Sequence, residues 1–141
     1  MQPSDYSESG FEEIDHTADW SYRVWATSLE ELFIQAALAL FTLAGIQLVR
    51  EIQVRREIQL HGVDYESLLV AWLNELLYLR ESENLGFNRF EILALDAENL
   101  KVLMSGAPIH HWTKFIKAVT YHNLSINKTD RGFETTLVLD V

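Results

Sequence analysis

Apolar and polar residues change period several times along the chain, and each change marks an element. Phe11 to Asp15 reads as a short strand. Trp20 to Ala26 reads as another, with Trp20, Tyr22 and Val24 on one face, Ser21 and Arg23 on the other, and Trp25 out of phase. At Ser28 the spacing becomes helical: Leu29, Leu32, Phe33, Ala36, Ala37, Leu40, Phe41 and Ala44 form one stripe. Ser28 and Glu31 have the form of a capping box, and Gly45 suits the left-handed residue that ends a helix. Leu48 to Leu60 alternates again, with Ile52, Val54, Ile58 and Leu60 on a shared face that Arg56 interrupts, as at a bulge or an edge. Asp64 caps a second helix running to about Glu81, with Leu68, Leu69, Trp72, Leu73, Leu76, Leu77 and Tyr78 as its apolar residues.

Beyond it the pattern predicts only strands. Phe90 to Leu95 and Leu100 to Ser105 are joined by a polar turn at 96–99. Gly106 to Lys114 reads as less regular. A hairpin then pairs Ala118 to Asn127 with Phe133 to Val141 through a turn at Thr129 to Gly132. This order predicts an α+β fold, with two helices packed on one face of a mostly antiparallel sheet in a single two-layer domain. Residues 1–10 read as a flexible tail and 11–141 as the domain.

Composition narrows the function. The 141 residues suit one domain, and 48% hydrophobic content supplies a core. No cysteine is present, which excludes disulfides and thiolate metal sites. The first residues show neither the basic nor the apolar region of a signal peptide, so a cytoplasmic location is expected. The net charge is −10, from 21 acidic and 11 basic side chains. Such a chain is poorly suited to gripping RNA unaided, because phosphate binding relies on Lys and Arg. It is better suited to meeting a basic protein surface, although acidity also serves solubility.

Three clusters carry candidate chemistry. Asp15-His16-Thr17-Ala18-Asp19 gathers two carboxylates, an imidazole and a hydroxyl; it is either a side-chain-bonded turn or part of an oxygen-rich site for a hard cation. Asp140 is followed by Val141, the last residue, which puts a side-chain carboxylate beside an α-carboxylate at the end of an alternating strand. Mutual repulsion there favours a divalent cation. Lys117 to His122 combines Lys, Thr, Tyr and His, but alternation puts Lys117, Val119 and Tyr121 on one face and Ala118, Thr120 and His122 on the other. His110 and His111 lack a partner at metal-ligand spacing. No nucleophile elbow, phosphate-binding loop, dinucleotide fingerprint or zinc-protease motif occurs.

From its tail onward the chain resembles the archease family. The resemblance rests on His16-Thr17-Ala18-Asp19 before a strand, Leu29-Glu30-Glu31-Leu32-Phe33 opening an alanine-rich helix, Leu73-Asn74-Glu75-Leu76-Leu77-Tyr78, Lys117 to His122, and the ending Asp140-Val141. It implies a non-catalytic accessory protein that promotes guanylylation and repeated turnover of an RtcB-type RNA ligase, in tRNA splicing or RNA repair. It further implies a divalent metal, Ca²⁺ or Mg²⁺/Mn²⁺, held by Asp19, Asp140 and the main-chain oxygens of Val141. Asp15, His16, Lys117 and His122 would then face the partner or support the site. RNA would be met only through the ligase, with no role for DNA or membrane. Trp20 and Ser21 depart from the family's pattern of an aliphatic and then a small residue after the HTAD motif, so the adjoining surface differs. A stand-alone metal-dependent hydrolase and a chaperone-like RNA- or protein-binding module are the competing classes.

Overall fold

The computed structural model describes residues 8–14 and 20–141. Nine strands and two helices are assigned among them: β1 (Gly10–Ile14), β2 (Trp20–Ala26), α1 (Leu29–Leu43), β3 (Gln47–Leu48), β4 (Val54–His61), α2 (Tyr65–Glu83), β5 (Leu85–Leu95), β6 (Asn99–His111), β7 (Ala118–Thr120), β8 (Asn127–Thr129) and β9 (Gly132–Asp140). The expected α+β class and antiparallel pairing are present. The strands nevertheless divide into two sheets. One has the order β1-β2-β9-β7, with β8 also on β9; the other centres on β6, which pairs with β3, β4 and β5.

Both helices share one core with the two sheets. The α1 stripe buries Leu32, Phe33, Ala36, Ala37 and Leu40, and α2 buries Leu68, Leu69, Trp72, Leu73 and Leu76. Tyr22, Val24 and Leu137 close the core from the first sheet, and Leu100, Val102 and Met104 from the second. Two buried polar tips find backbone acceptors on α1. Tyr22 donates its hydroxyl to the Ala36 carbonyl at 3.1 Å, and Trp72 Nε1 donates to the Phe33 carbonyl at 3.0 Å. Each large ring therefore buries its polar atom satisfied, while tying α1 to β2 and to α2.

Helix ends follow the sequence closely. The Ser28 side chain accepts from the Glu31 N–H at 3.1 Å, but the reciprocal half of the capping box is missing because Glu31 takes Gln35 instead. Asp64 and Ser67 form the complete box. Gly45 has φ +69°, as expected of the residue after α1.

Three expectations are corrected. The single strand Leu48 to Leu60 is interrupted: β3 ends at Leu48, β4 begins at Val54, and Ile52 is 51% exposed rather than on a buried face. Pro108 explains the break, since it accepts from the Val49 N–H at 2.9 Å but has no N–H to return. Arg56 does stand on an edge strand and pairs with Glu83 at 2.7 Å. The stretch Gly106 to His111 is strand, not loop, and β5 starts at Leu85. Glycines that look like breakers here permit pairing: a Cβ on Gly106 would lie 1.8 Å from the Gly86 carbonyl oxygen, so the two backbones meet only because that atom is absent. Finally, Ala118 to Asn127 is not one strand. β7 and β8 both pair with β9, but 121–126 leaves the sheet for the start of α2, where the Tyr121 hydroxyl donates to Asp64 and the Ile126 N–H to Glu66. Trp25 also finds its place: it shares the outer face of β2 with Arg23, whose guanidinium lies 5.1 Å from its ring centre.

Gly106→Ala is expected to cause gross destabilisation or misfolding, read by thermal melting. Tyr22→Phe removes one buried hydrogen bond from an acceptor already inside a helix, and is expected to cost about 1 kcal/mol in urea unfolding. Hydrogen bonds from Ser67, with a further one from Tyr121, hold the Asp64 carboxyl below its ordinary range. Its contribution is thus present above the unfolded carboxyl pKa of about 4 and lost as pH falls through the lower folded value. Wild type and Asp64→Asn should therefore differ in urea midpoint near neutrality by more than they do in strong acid.

Candidate functional site

One end of the five-stranded sheet collects most of the described candidate residues. Trp20 pairs with Leu139, and Ala118 pairs with Asp140. The Lys117 N–H donates to the Asp140 carbonyl at 2.8 Å, so both belong to the last rung of the β7–β9 ladder. Asp140, Val141 and Lys117 are all exposed. His122 is placed elsewhere, past the end of β7, on the loop that crosses to α2, with its Nε2 3.1 Å from the Asn123 amide. His110 and His111 stand at the far end of β6, where His111 pairs with Gln47. Asp15, His16 and Asp19 lie outside the described residues. Among the described residues no group of three or more His, Cys, Asp or Glu converges as a metal site.

The segment 112–117, between β6 and β7, holds this end in place. Its Thr113 and Lys114 N–H groups donate to the Ala44 carbonyl at 3.0 and 3.1 Å, capping the C-terminus of α1. That helix has no basic residue in its last turn, so these N–H groups answer the negative end of its dipole. Lys114 then sets its ammonium 3.7 Å from the ring centre of Trp20. Arg80, 5% exposed, rises from α2 and donates to the Ile116 carbonyl at 2.7 Å, with its guanidinium 4.6 Å from the Phe115 ring centre and 5.6 Å from that of Trp112. Burial pushes this guanidinium below its ordinary pKa, against the favourable charge of Glu81. Asn74, also on α2, bonds both backbone groups of Val119: its amide donates to the carbonyl at 3.1 Å and its side-chain oxygen accepts from the N–H at 2.8 Å. A side chain thus takes the place of a further strand beside β7.

Sequence reasoning overlooked Arg80 and Asn74 as positioning residues. For Arg80 a signal existed, since it falls three residues after Leu77 and four after Leu76 and so continues the apolar stripe. A lone cation in such a stripe must find acceptors inside. Asn74 gave no comparable sign.

The described donors at this sheet end are the Asp140 carboxylate and the main-chain oxygens of Val141. An all-oxygen set fits a hard cation such as Ca²⁺ or Mg²⁺, but these atoms alone fall short of the six or more ligands such ions take. Two surface hollows, of about 570 and 680 Å³, lie elsewhere: one is lined by Arg23, Trp25, Arg131 and neighbours, the other by Phe41, Leu48, Arg89 and neighbours. Asp140, Val141 and Lys117 occupy open surface at the end of a sheet, a geometry suited to meeting a macromolecule.

Comparison with known proteins agrees with this architecture. Residues 11–141 match the model of the archease protein family. The protein archease of Methanosarcina mazei is 36% identical over 139 residues, covering 93% of this chain and 95% of that one. That of Saccharolobus islandicus is 40% identical over 137 residues, covering 93% and 98%. A solution structure from Methanobacterium thermoautotrophicum superposes with a TM-score of 0.68 at 30% identity, covering 94% of this chain and 99% of that one. A crystal structure from Thermotoga maritima, an archease described as a possible chaperone, gives 0.67 at 27% identity, covering 92% and 96%. With a family model spanning nearly the whole chain and relatives this similar along their full length, the chain belongs to the archease family.

Proposed function

We propose that this chain is a metal-binding accessory protein that activates an RtcB-type RNA ligase and performs no catalysis alone. The observation that carries the reading is the rung joining Lys117 to Asp140, on exposed surface beside the strand that begins at Trp20. Asp19 is covalently joined to Trp20, and Trp20 pairs with the residue preceding Asp140. In sequence, the Asp15 to Asp19 cluster thus directly precedes the strand whose first residue pairs beside Asp140. A bound divalent cation would supply positive charge that draws these carboxylates and the Val141 oxygens together. The chain's own residues do the rest: β9 holds Asp140 in register, Asn74 and Arg80 fix the flanking segment, and the exposed Lys117 joins its backbone to that of Asp140. An acidic chain with such a surface suits a basic ligase face.

The direct test is ligation by the cognate ligase at substrate excess. Adding this protein is expected to raise the number of turnovers. Asp140→Ala should lower the stimulation about tenfold or more, the size typical of residues that hold or support a metal site. Lys117→Ala should lower stimulation while leaving metal affinity unchanged. No stimulation by wild-type protein would defeat the reading, and phosphoester turnover by the protein alone would favour a hydrolase. Association with the ligase should also quicken at low salt, where charges are less screened, as measured by stopped flow.

A further inference from the structure

Charge is segregated along this chain in a way its net value conceals. From Asn99 to Thr129 there is no Asp or Glu, although acidic residues outnumber basic ones about two to one overall. The middle of that stretch, His110-His111-Trp112-Thr113-Lys114-Phe115-Ile116-Lys117, interleaves aromatic rings with two lysines and two imidazoles. In the fold it is a surface ribbon. His110, His111, Trp112, Lys114, Phe115 and Lys117 are all exposed, with Trp112 at 38% and Phe115 at 41%.

The two rings are held as a platform. Their centroids are 5.5 Å apart with planes tilted by 46°. Beneath them the buried Arg80 guanidinium faces both, while its other end is anchored to the Ile116 carbonyl. Its Nη1 atom has no hydrogen-bond acceptor, so the aromatic faces are what compensate that part of the cation. The Thr113 and Lys114 bonds to Ala44 fix the backbone between the rings. Large apolar faces are thereby kept partly in water on a stiff support, and the same exposed ribbon carries Lys117 and Lys114, the latter with its ammonium 3.7 Å from the Trp20 ring centre.

Exposed rings with adjacent cations on a rigid backbone form the arrangement that binds single-stranded nucleic acid: bases stack on the rings and phosphates meet the lysines. Bases and phosphates alternate along one strand, so a single occupant engages both the rings and the lysines; a protein contact with the same ribbon is the competing outcome of the test. We propose that residues 110–117 form a contact surface for a short single-stranded RNA segment, with bases on Trp112 and Phe115. Acidic side chains brought in by the fold, Asp140 beside Lys117 and Glu81 near Arg80, keep this contact weak and salt-sensitive. The inference goes beyond ligase activation and needs neither ligase nor metal.

The test uses the full chain alone, with chelator and low salt, and follows the anisotropy of a fluorescein-labelled single-stranded RNA 12-mer. Wild type is expected to bind weakly and to lose binding as salt rises. Trp112→Ala and Phe115→Ala should each weaken it about fivefold or more, with Trp112→Phe restoring most of the loss. Lys114→Glu, which leaves both rings, should weaken it as well. Melting temperatures report whether each variant is folded, and the three types of change do not share one structural defect. Absence of binding by wild type, or binding unchanged in the folded ring variants, would overturn the proposal. So would binding of a polyglutamate peptide that competes with the RNA and is lost in the same variants, since the surface would then be a protein contact.

Discussion

The sheet that carries the candidate site depends on one strand, the last in the chain. β9 pairs with β2 along one edge and with β7 and β8 along the other, so three of the four other strands in that sheet hydrogen-bond to Gly132–Asp140. Trp20 cannot find its partner Leu139 until nearly the whole chain is present. Such pairings between distant residues close long loops and pay their entropy before the contacts reward it. The reward is precise placement. Alternation of Leu137 and Leu139 into the core fixes the face of β9, and a slip of one residue would turn both outward. The exposed end at Asp140 inherits its position from that buried register.

The helices extend the same control to the flank of the site. α1 lends its C-terminal carbonyl to the backbone of 113–114, and α2 contributes Asn74 to Val119 and Arg80 to Ile116. Each bond lands within a few residues of Lys117. A buried guanidinium with no carboxylate partner is costly, and here one carbonyl and two aromatic faces offset that cost. The exposed surface around Lys117 is thus set by interior contacts, which is why positioning residues on α2 were harder to find than the exposed ones they support.

Much of this was legible in the residues. Helix starts at Ser28 and Asp64 and the end at Gly45 follow from local chemistry, and the cores of both helices follow from spacing. What escaped was decided by distant partners. Val49 and Pro108 end β3 with a donor missing from another strand; Gly86 and Gly106 continue a ladder where single glycines read as breaks; Asp64 and Glu66 draw 121–126 out of the sheet. Of the candidate site, the chemistry of individual residues was legible. Asp140 and Lys117 stood out for their chemistry, and the β7–β9 register shows them adjacent, while His122, close to Lys117 in sequence, sits on the departing loop. The motif from Asp15 to Asp19 could be read only as chemistry, since those residues lie outside the described ones.

In the proposed function, Asp19 and the end of β9 serve one divalent cation. Calorimetric titration of Ca²⁺, repeated with Mn²⁺, into wild type, Asp19→Ala and Asp140→Ala tests it most directly, with circular dichroism confirming that each is folded. The expected result is a single site in wild type that both substitutions abolish, because each removes a carboxylate from the same cation. Undiminished binding in both folded variants would contradict it.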